Sequence, residues 1–370
     1  MRVLIAFDKF KDALTAQQAC EVAAAALRAR HPEWFLELCP LTDGGEGFCE
    51  TLTSAAHGQL DSVEVSAPRG GPIRAPIGYV KTALLPPSVQ TRFNLRPTAK
   101  LAVIGMASAS GLELLSAGRR DPWHTTSRGT GEQIRAAARS GASAILLGIG
   151  GSATNDLGLG ALAALGYEFE ETPVPATWPR IKRLKGRIEV PPIFIACDVT
   201  NPLLGPQGAT ATFGPQKGLS AADVPRLEAE MARMAGLLCL ACDRPPALAA
   251  TPGTGAAGGI SFGLMVAANA QLVPGFDLVS DWLDLPGRIA GADLVLTGEG
   301  RFDATSLGGK GPGSLLREAQ RLGKTGHVFA GSLGVPADAA HHAITPPGLA
   351  RAEALPRTAE LLAAAVARTL

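Results

Sequence analysis

Acidic side chains recur just beyond apolar runs in this chain. Asp8 follows residues 3–7. Asp43 and Glu46 follow residues 38–42, in Asp43-Gly44-Gly45-Glu46-Gly47. Asp198 follows residues 193–197. Glu299 and Asp303 follow residues 294–297, in Gly298-Glu299-Gly300-Arg301-Phe302-Asp303. For any one of them, capping a helix or closing a turn is the commoner role. Four such coincidences flanked by glycines point further, because glycine lets the backbone approach a ligand closely. Carboxylates of this kind can hold Mg²⁺, which takes oxygen ligands and shares them with phosphates. One of them can accept the proton of an attacking hydroxyl. The chain has only nine lysines, and Lys9, Lys11, Lys217 and Lys310 fall in Gly- or carboxylate-rich segments. Each is as readily a solvated surface lysine, but together with the acids they suit neutralising phosphate in a phosphoryl transfer.

The Gly-rich segments divide. Gly148-Ile149-Gly150-Gly151-Ser152-Ala153 matches G-x-G-x-x-A after a strand-like run and before a helical stretch, 157–165. That is a dinucleotide-type signal and supports an alternative reading, an NAD-dependent dehydrogenase of a small hydroxy acid. Its place in mid-chain argues against this reading, since the fingerprint belongs to a first βα unit. Ser152, Thr154, Asn155 and Asp156 add polar groups suited to an anion held by backbone N–H groups. Residues 253–259 also match G-x-G-x-x-G but follow Pro- and Ala-rich sequence, so close packing around Gly258 is the simpler expectation there. Gly308-Gly309-Lys310-Gly311 lacks the first Gly and the Ser/Thr of a Walker A loop. No G-x-S-x-G elbow and no zinc-type His spacing are present. His341 and His342 read as surface residues, and Cys239 and Cys242, a lone C-x-x-C pair in an apolar run, as core cysteines.

Strand-like runs alternate with helical patterns, which predicts an α/β fold with largely parallel sheets. Strands are expected at 2–7, 35–41, 62–66, 76–80, 100–106, 143–149, 192–197, 293–297 and 327–331. Helices are expected at 15–29 (with Thr15 as N-cap), 130–139, 157–165, 314–322 and 357–369. Residues 61–98 read as antiparallel β structure, and 173–192 as a Pro-rich loop. The acids at 8, 43 and 299–303 lie at opposite ends of the chain with that β segment between. Residues 1–60 with 276–370 are therefore expected to form one Rossmann-like domain, and 61–275 a second. A chain of 370 residues with 46% hydrophobic and 18% charged residues is globular. A net charge of +1 without a basic stripe disfavours nucleic acid as a partner. The opening strand leaves no signal peptide, no apolar run reaches membrane-spanning length, and a cytoplasmic protein is expected.

Seven of these segments, in one order along nearly the whole chain, resemble the bacterial type I glycerate kinase family. They are 7–11, 43–47, 150–156, 198–203 (Asp-Val-Thr-Asn-Pro-Leu), 213–218 (Phe-Gly-Pro-Gln-Lys-Gly), 255–259 and 297–303. The resemblance implies two α/β domains, one Rossmann- or flavodoxin-like with a mainly parallel sheet and one mixed α/β, with the active site in the cleft between them. It implies ATP-dependent, Mg-assisted phosphorylation of D-glycerate, with the 2-hydroxyl favoured, by a monomer or homodimer. On this basis Asp43, Asp198, Glu299, Asp303 and Lys11 are the expected catalytic residues, with Asp43 or Asp198 the base and both of them metal ligands. Arg301, Ser152, Asn155, Asp8 and Glu46 are expected at the substrate, and Gly150, Gly151, Lys217, Gly258 and Lys310 at the nucleotide. The chain departs from the family pattern at Lys9, Asp12-Ala13, Phe48 and Thr305-Ser306, where hydroxyls, Gly or Gln are usual.

Overall fold

The computed structural model describes residues 1–307, 311–336 and 338–370. The chain forms two compact units, one from Met1–Asp43 with Val279–Leu370 and one from Gly44–Leu278. The strands run in chain order: β1 (Arg2–Phe7), β2 (Phe35–Leu38), β3 (Gln59–Ser66), β4 (Pro72–Lys81), β5 (Lys100–Gly105), β6 (Ala144–Gly148), β7 (Glu168–Phe169), β8 (Leu184–Lys185), β9 (Ile193–Ala196), β10 (Gln271–Val273), β11 (Leu294–Phe302), β12 (Thr325–Leu333) and β13 (His341–Ala343).

The discontinuous unit holds a parallel sheet in the order β13-β12-β11-β1-β2. β1 and the first half of β11 are buried apolar runs, as expected of strands covered on both faces. Helix Ala16–Arg30 starts at a capping box. The Thr15 hydroxyl accepts from Gln18 N, and the Gln18 side chain accepts from Thr15 N. Its Ala19, Ala23, Ala24 and Leu27 are buried in a core shared with Val3, Ile5, Leu296 and helix Thr358–Thr369. β11 continues to Phe302, so Glu299 and Arg301 lie within a strand and not in a loop after one.

The continuous unit holds a mixed sheet, β10-β9-β6-β5-β4-β3, in which β3, β4 and β5 pair antiparallel and the remainder parallel. Residues 44–60 belong to this unit, not to the discontinuous one expected from the sequence. Helix Phe48–Ala55 buries Phe48, Cys49 and Leu52 against β4 and β5. Two of the elements beyond those expected from the sequence build the core of this unit. Helix Val224–Ala241 buries Leu227, Met231, Met234 and Leu238, and it carries Cys239 into the core. The Cys242 thiol lies 3.0 Å from the Tyr167 hydroxyl, so the C-x-x-C pair is structural. The Pro-rich stretch holds a short 3-10 helix, Pro175–Arg180, whose Trp178 is fully buried.

The two histidines read as surface residues form strand β13 in the discontinuous unit. His342 Nε2 lies 3.0 Å from His327 Nδ1, and the His341 ring stacks on Phe302. The dyad of ring nitrogens is possible because burial holds both His327 and His342 below the usual imidazole range. Among the described residues no helix is long and apolar enough to cross a membrane.

Candidate active site

In a parallel sheet every strand delivers its C-terminal residue to the same edge. The register Phe7↔Gly298 places Asp8 level with Glu299 at that edge of the discontinuous unit, and Asp8 N donates to Gly298 O at 2.9 Å. Asp43 arrives there behind β2, where Leu41 N donates to Phe7 O. Lys9 Nζ then pairs with Asp43 Oδ1 at 2.8 Å. Burial pushes the Glu299 carboxyl up to about 7, and the nearby charges of Asp8, Asp303 and Asp43 add to the effect, against a hydrogen bond from Ser306. Arg301 Nε lies 3.1 Å from Asp303 Oδ2 with 71% of its side chain exposed, so that ion pair contributes little to stability.

Asp8, Lys9, Lys11, Asp43, Glu299 and Arg301 all line one cavity of about 610 Å³ in this unit. Asp303 is not among its lining residues and reaches it through Arg301. Lys310 lies outside the described residues. Lys9, expected among the cations suited to phosphate but not among the site residues, pairs with Asp43. Its signal was present, a lysine directly after Asp8 in a carboxylate-rich segment.

The continuous unit has its own carboxyl edge, where Gly148 pairs level with Ala196. Asp198 follows β9, and both of its oxygens lie 3.0 Å from Phe276 N at the start of helix Gly275–Trp282. The turn 150–156 follows β6. Gly150 N donates to Gly44 O at 2.9 Å, and a Cβ on Gly150 would stand 2.7 Å from Gly45. On Gly151 a Cβ would meet Glu46 Oε1 at 2.2 Å. The space these glycines leave is filled by 44–46, which removes the open pyrophosphate turn that a dehydrogenase would need.

Three expected ligand residues are turned inward. Asn155 is fully buried and donates from Nδ2 to Thr210 Oγ1 at 3.1 Å. Gly258 sits under the turn, where its Cβ would be 2.1 Å from Thr154 O. Lys217 is 1% exposed, and its Nζ donates to Thr154 O at 2.6 Å. The lysine therefore braces the turn from below and faces no surface phosphate. Asp156, fully buried, accepts from Ser127 N and Oγ and from Gly158 N. Ser152, 8% exposed, and Glu46 remain at the edge with Asp198.

Burial pulls the Lys217 ammonium down to about 7 from 10.5, with the Asp156 charge pulling the other way. A lysine depressed in the folded state makes the unfolded chain the better proton binder between those two values, so stability rises with pH there. Between pH 7 and pH 8.5 this lysine should add about 1 to 2 kcal/mol. Urea unfolding of the wild type and Lys217→Met over that range isolates its share. Equal slopes in the two proteins would show that Lys217 stays charged in the fold.

The described residues hold no cluster of three or more His, Cys, Asp or Glu able to bind a metal by themselves. The donors nevertheless fit Mg²⁺, which is commonly held by one or two carboxylates with phosphates and water completing its shell. The crowding of acids around Glu299 is the local charge such a cation would relieve. Asp43 and Asp198, the two expected metal ligands, belong to different units.

A family model described as the glycerate kinase family matches residues 3–369. The chain is 37% identical over 344 residues to the glycerate kinase of Haemophilus influenzae, covering 90% of this chain and 86% of that one. It is 36% identical over 351 residues to the glycerate 2-kinase of Escherichia coli, again covering 90% and 86%. The crystal structure of a candidate glycerate kinase 2 from Salmonella typhimurium LT2 matches with a TM-score of 0.75 at 34% identity, covering 100% of this chain and 96% of that one.

Proposed function

The chain belongs to the glycerate kinase family and is a phosphotransferase, and on that premise we propose that it transfers the γ-phosphoryl group of ATP to the 2-hydroxyl of D-glycerate. The choice of hydroxyl is supported by the name of the Escherichia coli relative. The observation that carries the chemistry is the gathering of Asp8, Asp43 and Glu299 with Lys9, Lys11 and Arg301 around one cavity at a sheet's carboxyl edge. Phosphoryl transfer needs positioning and charge stabilisation more than covalent help, and this is a set of fixed charges.

Mg²⁺ bound with the nucleotide would neutralise phosphate charge, and Asp43 is the residue here that would hold it. Lys11 and Arg301 place cations where charge builds on the transferred group. Ser152 and Glu46 offer the hydroxyl and carboxylate to orient glycerate. Asp198 accepts the proton of the attacking hydroxyl, and the Phe276 N–H fixes the direction of its carboxylate.

NMR identification of the product from ATP and D-glycerate tests this reading. 2-Phosphoglycerate is expected. 3-Phosphoglycerate would reverse the choice of hydroxyl, and absence of any phosphorylated product would remove the kinase assignment. Arg301→Lys separates two roles for that side chain. The planar fork is lost while the charge is kept. A phosphate contact made in the transition state predicts kcat lowered about tenfold with KM for D-glycerate unchanged. A rise in that KM alone would assign Arg301 to the glycerate carboxylate.

A further inference from the structure

The carboxyl edge of the continuous unit offers two acids to a substrate that is itself an anion. Glu46 and Asp198 stand there with the Ser152 hydroxyl, while the lysine under the turn, Lys217, is committed to Thr154 O. Glycerate would meet net negative charge unless a further cation faces it. The segment after β5, residues 106–127, is tied to the turn 150–156 at several points. Ala153 N donates to Ser110 O, Leu112 N donates to Gly151 O, and the Thr125 hydroxyl donates to Ala153 O at 3.2 Å. Leu112 and Leu115 bury with Ala153. Arg120 lies within this segment, its backbone pressed against Gly218, the residue after Lys217. A Cβ on Gly218 would stand 2.4 Å from Arg120 O. The Arg120 side chain is half-buried, and its Nε is fully buried with no hydrogen-bond acceptor among the described residues. A charged donor left empty in a buried place is costly, and it calls for an acceptor from outside the chain. The carboxylate next to it in sequence is already occupied. Asp121 Oδ1 accepts from Trp123 N, and its Oδ2 accepts from Arg69 and lies 2.6 Å from His124 Nδ1. Arg226 is likewise placed elsewhere, over the Trp123 ring at 4.7 Å.

We propose that Arg120 receives the carboxylate of D-glycerate. Nε and one Nη of a guanidinium form a planar fork that matches the two oxygens of a carboxylate, a fit that a lysine cannot reproduce. Ser152 and Glu46 are then left for the substrate's hydroxyls, and Asp198 for the proton. The proposal rests on the kinase reading and adds to it the group that selects an acid over a neutral molecule of the same size. It also leaves Arg301 to the transferred phosphate.

The test is steady-state kinetics of the wild type, Arg120→Met and Arg120→Lys on D-glycerate and on D-glyceramide, in which an amide replaces the carboxylate. Arg120→Met should lower kcat/KM for D-glycerate about a hundredfold, mostly through KM, the scale of a lost hydrogen bond between charged groups. KM for ATP should stay within about twofold. D-Glyceramide never makes the contact, so its kcat/KM should change by less than about threefold. Arg120→Lys keeps the charge without the fork and should fall between the wild type and Arg120→Met. Equal losses on the two substrates in folded variants would make Arg120 a brace for its loop and overturn the proposal, as would unaltered constants. If Arg120→Met does not fold, the ratio of the two substrates in Arg120→Lys decides alone. A wild type that phosphorylates D-glyceramide as well as D-glycerate removes the carboxylate contact and spares the kinase reading. A wild type that phosphorylates neither removes both.

Discussion

Asp198→Asn should lower kcat by about a hundredfold or more and leave the protein folded. The amide is nearly isosteric with the carboxylate. Its Oδ1 can still accept from Phe276 N, which now lies 3.0 Å from each Asp198 oxygen. What it loses is the capacity to take a proton from a hydroxyl. It also loses a negative charge at the start of helix Gly275–Trp282, an effect of about 0.3–1 kcal/mol. The thermal midpoint should therefore move by only a few degrees while turnover falls steeply. ADP release in a coupled assay with D-glycerate, beside a thermal unfolding curve, gives both numbers. If the folded variant turned over near the wild-type rate, the base would have to be sought at Asp43. Asp43→Asn, whose partner Lys9 makes an exposed pair worth little to the fold, would then show the loss in its place.

The largest effect on stability is expected from Gly258→Ala. This glycine has φ of +71°, where an L-residue is strained by roughly 1–2 kcal/mol. Strain is the smaller part. The new methyl would stand 2.1 Å from Thr154 O and 2.6 Å from Asn155 Cα, both backbone atoms that cannot swing aside. Relief requires the 154–157 backbone to move, which breaks the bond from Leu157 N to Gly258 O and disturbs the contact between Lys217 and Thr154. A loss of about 3 kcal/mol or more is expected, seen as a midpoint lowered by roughly 10 °C. An unchanged midpoint with a raised KM for ATP would mean that Gly258 meets the nucleotide after all.

What could be read from the sequence was local. An acid directly after an apolar run is placed by its own strand, so Asp8, Asp43 and Glu299 emerged together. Thr15 announced a helix start as an N-cap, which the structure completes with Gln18. What could not be read depends on the other side of a contact. Whether Gly150 or Gly258 leaves room for a ligand or for backbone is decided by Gly45 and Thr154, which lie about a hundred residues away in each case. Lys217 and Asn155 look like ligand-binding residues by type, and only the packed core shows that Lys217 Nζ donates to Thr154 O and Asn155 Nδ2 to Thr210 Oγ1. The apolar lining of the cavity has no motif at all, since Ile344, Leu349 and Leu355 come from the loop after a three-residue strand and from a later 3-10 helix. Helix Val224–Ala241 is different. Its buried Leu227, Met231, Met234 and Leu238 carry a helical period that is present in the sequence.

The pairing of β1 with β11 also fixes an order of assembly. Arg2 N donates to Asp293 Oδ2 across 291 positions, and residues 3–7 register against 294–298. During synthesis β1 therefore emerges first and waits longest, with its apolar residues and one of its edges unsatisfied, a state prone to wrong pairings. The segment Gly44–Leu278 is uninterrupted and can close on itself in the meantime. Contacts of such sequence separation form slowly because the loop they close must first be ordered. Asp8 and Glu299 are thus brought side by side only once β11 has paired with β1, and a nascent chain halted before β11 has the scaffold of the continuous unit but lacks Glu299 and Arg301, which complete the charge cluster proposed for phosphoryl transfer.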